Sequence, residues 1–196
     1  MGCDGALSEG IFDRYPEEYD RWFEDHRAVY HAELAQIRRF LPRPDSCAIE
    51  VGVGSGRFAA PLGIPIGLDP SLPLARMARG RGVDVIRGRG EAIPIGDGMC
   101  SSALLVTVIC FLDDPVSVLR EVHRILAPGG ILVVGFLERK GEVAQRCLHD
   151  GGEHRFLSHA RFYSSGEVRD LLDRTGFFVT GVESRAGFSV IAARKS

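Results

Sequence analysis

Residues 48–58 read Ala-Ile-Glu-Val-Gly-Val-Gly-Ser-Gly-Arg-Phe, and this stretch narrows the folds open to the chain more than any other. An apolar run with one acidic residue, Glu50, leads into Gly52, Gly54 and Gly56. The apolar part has the pattern of a buried parallel strand. The glycines turn the chain sharply and let the backbone approach a ligand that a Cβ would push away. A short helix after the turn would aim its free N–H groups at the same place. In doubly wound α/β sheets, such a loop at the carboxyl end of the first strand holds a nucleotide-type cofactor.

The third glycine and Glu50 bear on which cofactor. The dinucleotide fingerprint is G-x-G-x-x-G, with a diphosphate on the helix N-terminus. Here the third glycine comes one position early, and Arg57 stands where that rule wants Gly or Ala. A carboxylate beside the loop repels a diphosphate but can pair with an ammonium group. Glu50-x-Gly52-x-Gly54-x-Gly56 therefore resembles motif I of the class I S-adenosylmethionine-dependent methyltransferases, of the ubiquinone/menaquinone biosynthesis type. The resemblance implies that Glu50 and the loop hold the methionyl part of the cofactor. Three other readings stay open: a structural turn, an NAD-dependent oxidoreductase, and a non-catalytic cofactor-binding or interaction protein on the same fold.

At 196 residues with 45% hydrophobic content, one domain with a real core is the expectation. A formal net charge of −2 gives no bulk attraction to nucleic acid. No apolar run reaches membrane-spanning length, and the polar start has no signal-peptide hydrophobic region. The five cysteines are scattered, without C-x-x-C spacing, so no metal site is expected and a reducing cytoplasm fits.

In chain order, Met1–Gly10 reads as a loose terminus, followed by an aromatic, charged segment from Phe12 to Phe23. Helical spacing continues through Tyr30, Leu34, Ile37 and Leu41. The segment can serve as scaffold or as a lid over the cofactor cleft. It is similar to the F-D-x-x-A-x-x-Y-D start of the same family, with Phe12, Asp13, Tyr15, Tyr19 and Asp20 in place and Pro16-Glu17 interrupting it. The resemblance implies that Tyr19 lies nearest the cofactor.

Pro61 allows only a short helix after the loop. Ile64–Leu68 is the second strand, ended by Asp69 at a distance from Gly52 where an acidic residue faces a nucleoside ribose. Pro70 sets the exit, and Ser71 caps the next helix, which carries Leu74. Val83–Ile86 is the third strand. Gly88-Arg89-Gly90-Glu91 follows where the family pattern is close to G-D-A-E. The resemblance places adenine against Leu74 and the Gly90 backbone. Arg89 cannot accept the hydrogen bond that the family's Asp takes, which leaves Glu91 as the remaining acceptor. Ala103–Val108 is the fourth strand, opening into Thr107 and then Cys110-Phe111. In the family the end of this strand lies close to the transferring methyl.

Asp113-Asp114-Pro115 starts the next helix, and Leu126-Ala127-Pro128-Gly129-Gly130 ends it with glycine as the left-handed stop. Ile131–Phe136 is the fifth strand. Glu138–Phe162 is hard to read and contains His149, His154 and His159, whose spacing does not share a helix face. Ser164-Ser165-Gly166-Glu167 is a capping box. Phe177–Val182 and Gly187–Ala193 are two final strands, close enough for an antiparallel hairpin.

The expected fold is α/β: a Rossmann-like, doubly wound, mostly parallel seven-stranded sheet with an antiparallel C-terminal hairpin. Residues 1–45 form a helical lid on one compact domain of residues 46–196. The implied function is transfer of a methyl group from S-adenosylmethionine to a small-molecule acceptor, with S-adenosylhomocysteine as product. The cofactor residues are Glu50, Gly52, Gly54, Gly56, Asp69, Pro70, Leu74, Gly90, Glu91, Thr107 and Tyr19. The acceptor-pocket candidates are Cys110, Phe111, Tyr30 and His159. No catalytic base stands out, and none is obligatory for an already activated donor.

Overall fold

The computed structural model describes residues 10–149 and 155–196. The expected loose terminus up to Glu9, with Cys3, and also His154 lie outside the described residues. Seven strands form one sheet in the order β3-β2-β1-β4-β5-β7-β6. They are β1 (Ile49–Val51), β2 (Ile66–Asp69), β3 (Asp84–Arg87), β4 (Cys100–Val106), β5 (Leu126–Leu137), β6 (Phe177–Arg185) and β7 (Phe188–Lys195). The first five are mutually parallel, and β7 runs antiparallel between β5 and β6. Strand order therefore reverses between β1 and β4, where open α/β sheets place their ligand crevice. This is the sheet that the sequence implied.

The central strands are buried on both faces, so each supplies apolar residues alternately to two cores. Ala103, Leu105, Leu132, Val134, Ile191 and Ala193 point to one side. There they meet Val118, Leu119, Val122 and Ile125 of α6 (Pro115–Ile125), and Val168 and Leu172 of α8 (Ser165–Arg174). Leu104, Val106, Val133, Val190 and Ala192 point to the other. There they meet α2 (Pro16–Asp25), α3 (Arg27–Arg38), α4 (Ala59–Leu62) and α5 (Leu72–Gly80). Residues 10–14 form a further helical turn, α1, and α7 spans Glu142–His149.

Capping follows the sequence closely. The Ser71 hydroxyl accepts from the Leu74 N–H, Asp114 accepts from the Ser117 N–H, and Ser164 and Glu167 complete a reciprocal capping box. The β6–β7 turn uses Ala186 and Gly187, at φ 50° and 82°, as a tight antiparallel hairpin requires.

Some boundaries differ. β4 begins at Cys100, because Cys100 pairs with Leu126, and it ends at Val106, because Thr107 turns to φ 53°. The same pairing starts β5 at Leu126, well before Ile131. Gly129 therefore does not stop α6. Leu126 is already extended at ψ 138°, and Gly129, at φ 74°, sits in the irregular stretch that follows.

Candidate active site

A cavity of about 850 Å³ lies over the carboxyl ends of the parallel strands. Val51 and Gly52 reach it from β1, Leu68 and Asp69 from β2, Arg87 and Gly88 from β3, Val106 and Thr107 from β4, and Leu137 from β5. The glycine loop is fastened to β2: the Gly52 and Val53 N–H groups donate to the Leu68 carbonyl at 2.8 and 3.0 Å. Asp69 then spans two elements. Its Oδ2 accepts from the Gly54 N–H at 2.7 Å and its Oδ1 from the Ser71 N–H at 2.8 Å. One carboxylate thus sets the loop against the start of α5.

The three glycines do different jobs. Gly54 lines the cavity at φ 52°, and a Cβ there would stand 3.2 Å from the Tyr19 hydroxyl. Gly52 also lines it, hard against Val108. Gly56 does not. At φ 82° its missing Cβ would stand 3.0 Å from the Ala78 Cα, so this glycine lets α5 pack on the loop. That corrects the expectation that all three touch a ligand.

Glu50 lies beneath the loop, 1% exposed, and does not itself line the cavity. Its Oε2 has no hydrogen-bond partner among the described residues. Burial pushes its carboxyl well above the ordinary range, and Asp69 adds to this, against an opposing hydrogen bond from the Ala59 backbone. Pro70, Leu74, Gly90 and Glu91 all line the cavity near β2 and β3. Arg89 lines it too, with Nε 3.5 Å from a Glu91 carboxylate oxygen. Thr107 lines it in a left-handed conformation, rare for a β-branched residue; its N–H donates to the Gly135 carbonyl at 2.7 Å.

The N-terminal helices roof this floor. Phe12 stacks on Phe156 at 5.5 Å and meets Tyr19 and Phe111 edge-on at 5.4 and 5.2 Å. A charged clasp fixes α2 to the glycine loop. Arg57 Nη2 is 2.6 Å from Asp20 Oδ2 and its Nη1 2.5 Å from Glu24. Arg81, just after α5, reaches the same Asp20 oxygen at 2.8 Å and also donates to the Ser55 carbonyl. Burial alone would raise the Asp20 pKa, but hydrogen bonds from Arg57, Ser55 and Arg81 outweigh it and hold it at about 2. On the far side Arg155 pairs with Glu18 at 3.0 Å and lies 4.0 Å over the Tyr15 ring. Tyr19 lines the cavity, and burial, then Asp69 and Glu50, push its hydroxyl pKa upward.

The second part of the cavity lies under α3 and α7. Trp22, His26, Val29 and Glu33 line it from above, with Val143, Arg146 and Cys147 of α7 beside them. Of the expected acceptor residues, only Phe111 lines the cavity. Cys110 is buried below it, its thiol donating to the Thr107 carbonyl at 2.9 Å and pushed up to about 12 by burial. Tyr30 faces the core between Phe23 and Phe58, and its hydroxyl donates to the Arg57 carbonyl. His159 is exposed on a short 3-10 turn, away from the cavity.

Glu33 and the Asp20–Arg57–Arg81 clasp were not anticipated. Glu33 did leave a signal: it sits three residues after Tyr30 and four before Ile37, on the apolar stripe of α3. The clasp left none, because its members are far apart in sequence.

Comparison with known proteins agrees with this geometry. Residues 49–134 match the family model described as a methyltransferase domain. A crystal structure from Thermotoga maritima, described as an S-adenosylmethionine-dependent methyltransferase and possible histamine N-methyltransferase, is 37% identical with a TM-score of 0.89. The match covers 96% of this chain and 100% of that one. An uncharacterized protein of Methanocaldococcus jannaschii is 35% identical over 85% of this chain and 80% of its own length. A demethylmenaquinone methyltransferase of Corynebacterium kroppenstedtii is 29% identical over 51% or less of either chain. The chain belongs to the class I S-adenosylmethionine-dependent methyltransferases. It is a methyltransferase, and its cofactor is S-adenosylmethionine.

The residues present fit that cofactor. The unpartnered Glu50 oxygen beneath the loop and the Cβ-free, cavity-lining backbone of Gly54 are features that a methionyl ammonium and a close backbone approach would use.

Proposed function

We propose that this methyltransferase holds its cofactor along β1, β2 and β3 and its acceptor under α3 and α7, in one continuous cavity. Glu50 and the Gly52–Gly54 backbone receive the methionyl end, Asp69 the ribose hydroxyls, and Leu74 with Gly90 and Glu91 the adenine. Pro70 and Thr107 shape the walls, and Tyr19 closes over Gly54. The single observation that carries this reading is Asp69: it fixes Gly54 with one oxygen, Ser71 with the other, and still faces the cavity.

When bound, the cofactor supplies a methyl group activated by a positively charged sulfur. The protein's task is then alignment and exclusion of water. The aromatic roof of Phe12, Tyr19, Phe111 and Phe156 serves that task, and the clasp holds the roof in place. The described part of the N-terminal segment, residues 10–45, acts as the lid.

The acceptor is a small molecule. The cavity is lined by the chain's own helices and strand ends, and the net charge of −2 offers no bulk attraction to nucleic acid. Among the described residues no helix is long and apolar enough to cross a membrane. The scattered cysteines favour a cytoplasmic setting.

The first test is calorimetric titration with S-adenosylhomocysteine, with NAD and ATP as controls. Micromolar binding of the first ligand alone is the expected result. Equal binding of NAD, or no binding of S-adenosylhomocysteine, refutes the site assignment.

A further inference from the structure

Glu33 stands out once the cofactor residues are accounted for. It is 7% exposed and lines the cavity from α3. Among the described residues no hydrogen bond or ion pair meets its carboxyl, and burial alone pushes its pKa up to about 8. A buried carboxyl without a partner costs folding energy, so a position that keeps one is a candidate for chemistry.

Its surroundings define what it can receive. His26, Val29 and Glu33 line the cavity along one edge of the helix, next to the stripe by which Tyr30, Leu34 and Ile37 face the core. That helix packs over β5 and β7, on the opposite side of the sheet's switch point from β2 and β3. Glu33 is therefore in the part of the cavity that the cofactor residues leave open. Trp22 and His26 stack there at 4.7 Å and add an aromatic surface that suits a cation. The other titratable groups lining this space are His26 at the start of α3, Tyr19 from α2, and Arg146 and Cys147 from α7, and Arg146 lies 3.4 Å from Glu142. An anionic acceptor would have to approach the unneutralised Glu33 carboxylate, whereas a cationic one would satisfy it.

Resting on the methyltransferase reading above, we propose that the acceptor carries a basic amine and that Glu33 binds and deprotonates it. The carboxylate pairs with the ammonium form. One proton then passes from nitrogen to a Glu33 oxygen, the N–H bonding pair stays on nitrogen, and the carboxylate becomes a carboxylic acid. Nitrogen is left with the lone pair that methylation requires. Glu33 is then a catalytic residue in direct contact with the acceptor.

The test uses the full chain saturated with S-adenosylhomocysteine and three probes sharing one ring: 2-phenylethylamine, 2-phenylethanol and 3-phenylpropionate. The amine is expected to bind at least tenfold more tightly than the alcohol, with the acid weakest. At pH 7 its binding is expected to release a proton, seen as a heat that varies with buffer ionisation enthalpy. Glu33→Gln should lose the amine preference and the proton release while binding S-adenosylhomocysteine and the alcohol as before. Similar binding of amine and alcohol, absence of binding by all three, or an unchanged preference in Glu33→Gln overturns the proposal and leaves the cofactor site standing. Failure of S-adenosylhomocysteine to bind the unmodified protein overturns both.

Discussion

Replacing Glu33 by Gln should stabilise the protein, and by an amount that depends on pH. In the unfolded chain this carboxyl titrates near its ordinary 4.5, and in the folded protein near 8. The folded state therefore holds the proton more tightly, and stability falls as pH rises from 4.5 to 8. Below that window both states are protonated and Glu33 costs nothing by this route. Above it both are ionised and the full cost is present. At about 1.4 kcal/mol for each tenfold change in proton affinity, the cost approaches about 5 kcal/mol above pH 8 and about 3 kcal/mol at pH 7. Water in the cavity reduces both figures. Gln is nearly isosteric and does not titrate. Urea denaturation of the two proteins at intervals from pH 5 to pH 9 isolates the Glu33 contribution, since Glu50 and Tyr19 are common to both. The expected result is near-equal stability at pH 5 and a Glu33→Gln advantage of about 2–4 kcal/mol at pH 8. A difference that stays flat across this range would show that Glu33 is solvated or paired, and the reasoning would fail.

Other substitutions probe the floor and the roof. Asp69→Ala removes the acceptor that orients the Gly54 and Ser71 N–H groups and should weaken S-adenosylhomocysteine binding by about 1–3 kcal/mol in calorimetry; unchanged affinity would take Asp69 out of the site. Gly54→Val places a branched side chain against Tyr19 at an unfavourable φ, and should abolish binding while the far-ultraviolet circular dichroism is retained. Asp20→Ala opens the clasp and should cost about 1–2 kcal/mol of stability. Trp22 is the chain's single tryptophan, so its emission reports whether the roof loosens. Asp20 is depressed to about 2, so its contribution is present above pH 4 and lost as pH falls through 2; an Asp20→Ala protein with the same acid sensitivity as the parent would count against the clasp. Ala186→Gly relieves a left-handed alanine in the hairpin turn and should raise stability by about 0.5–1 kcal/mol in thermal unfolding.

What the sequence revealed and concealed divides along physical lines. The glycine loop, Asp69, the Ser71 and Ser164 caps and the final hairpin were legible, because local backbone chemistry determines each of them. Gly56 was legible as a glycine but not in its role, since its neighbour Ala78 is 22 positions away and belongs to helix packing. Tyr30 was misplaced for a related reason: helical spacing says that it is buried, not whether it faces a ligand or Phe58. Arg57 was legible only as a departure from the dinucleotide pattern. Its positive contribution, holding Asp20 and Glu24, depends on how α2 docks, and no short-range pattern encodes that.

The clasp also bears on how such a chain could be rebuilt. The floor of the cavity comes from strand ends and the loop after β1, while the roof that carries Glu33 comes from α2, α3 and α7. A new acceptor specificity could therefore be grafted by exchanging the helices and leaving the sheet untouched. Arg57 and Arg81 belong to the part retained, so a transplanted α2 without a carboxylate at position 20 would take away the carboxylate they share and leave Arg57 to position 24 alone. A single residue on the donor helix thus decides whether the two modules are compatible.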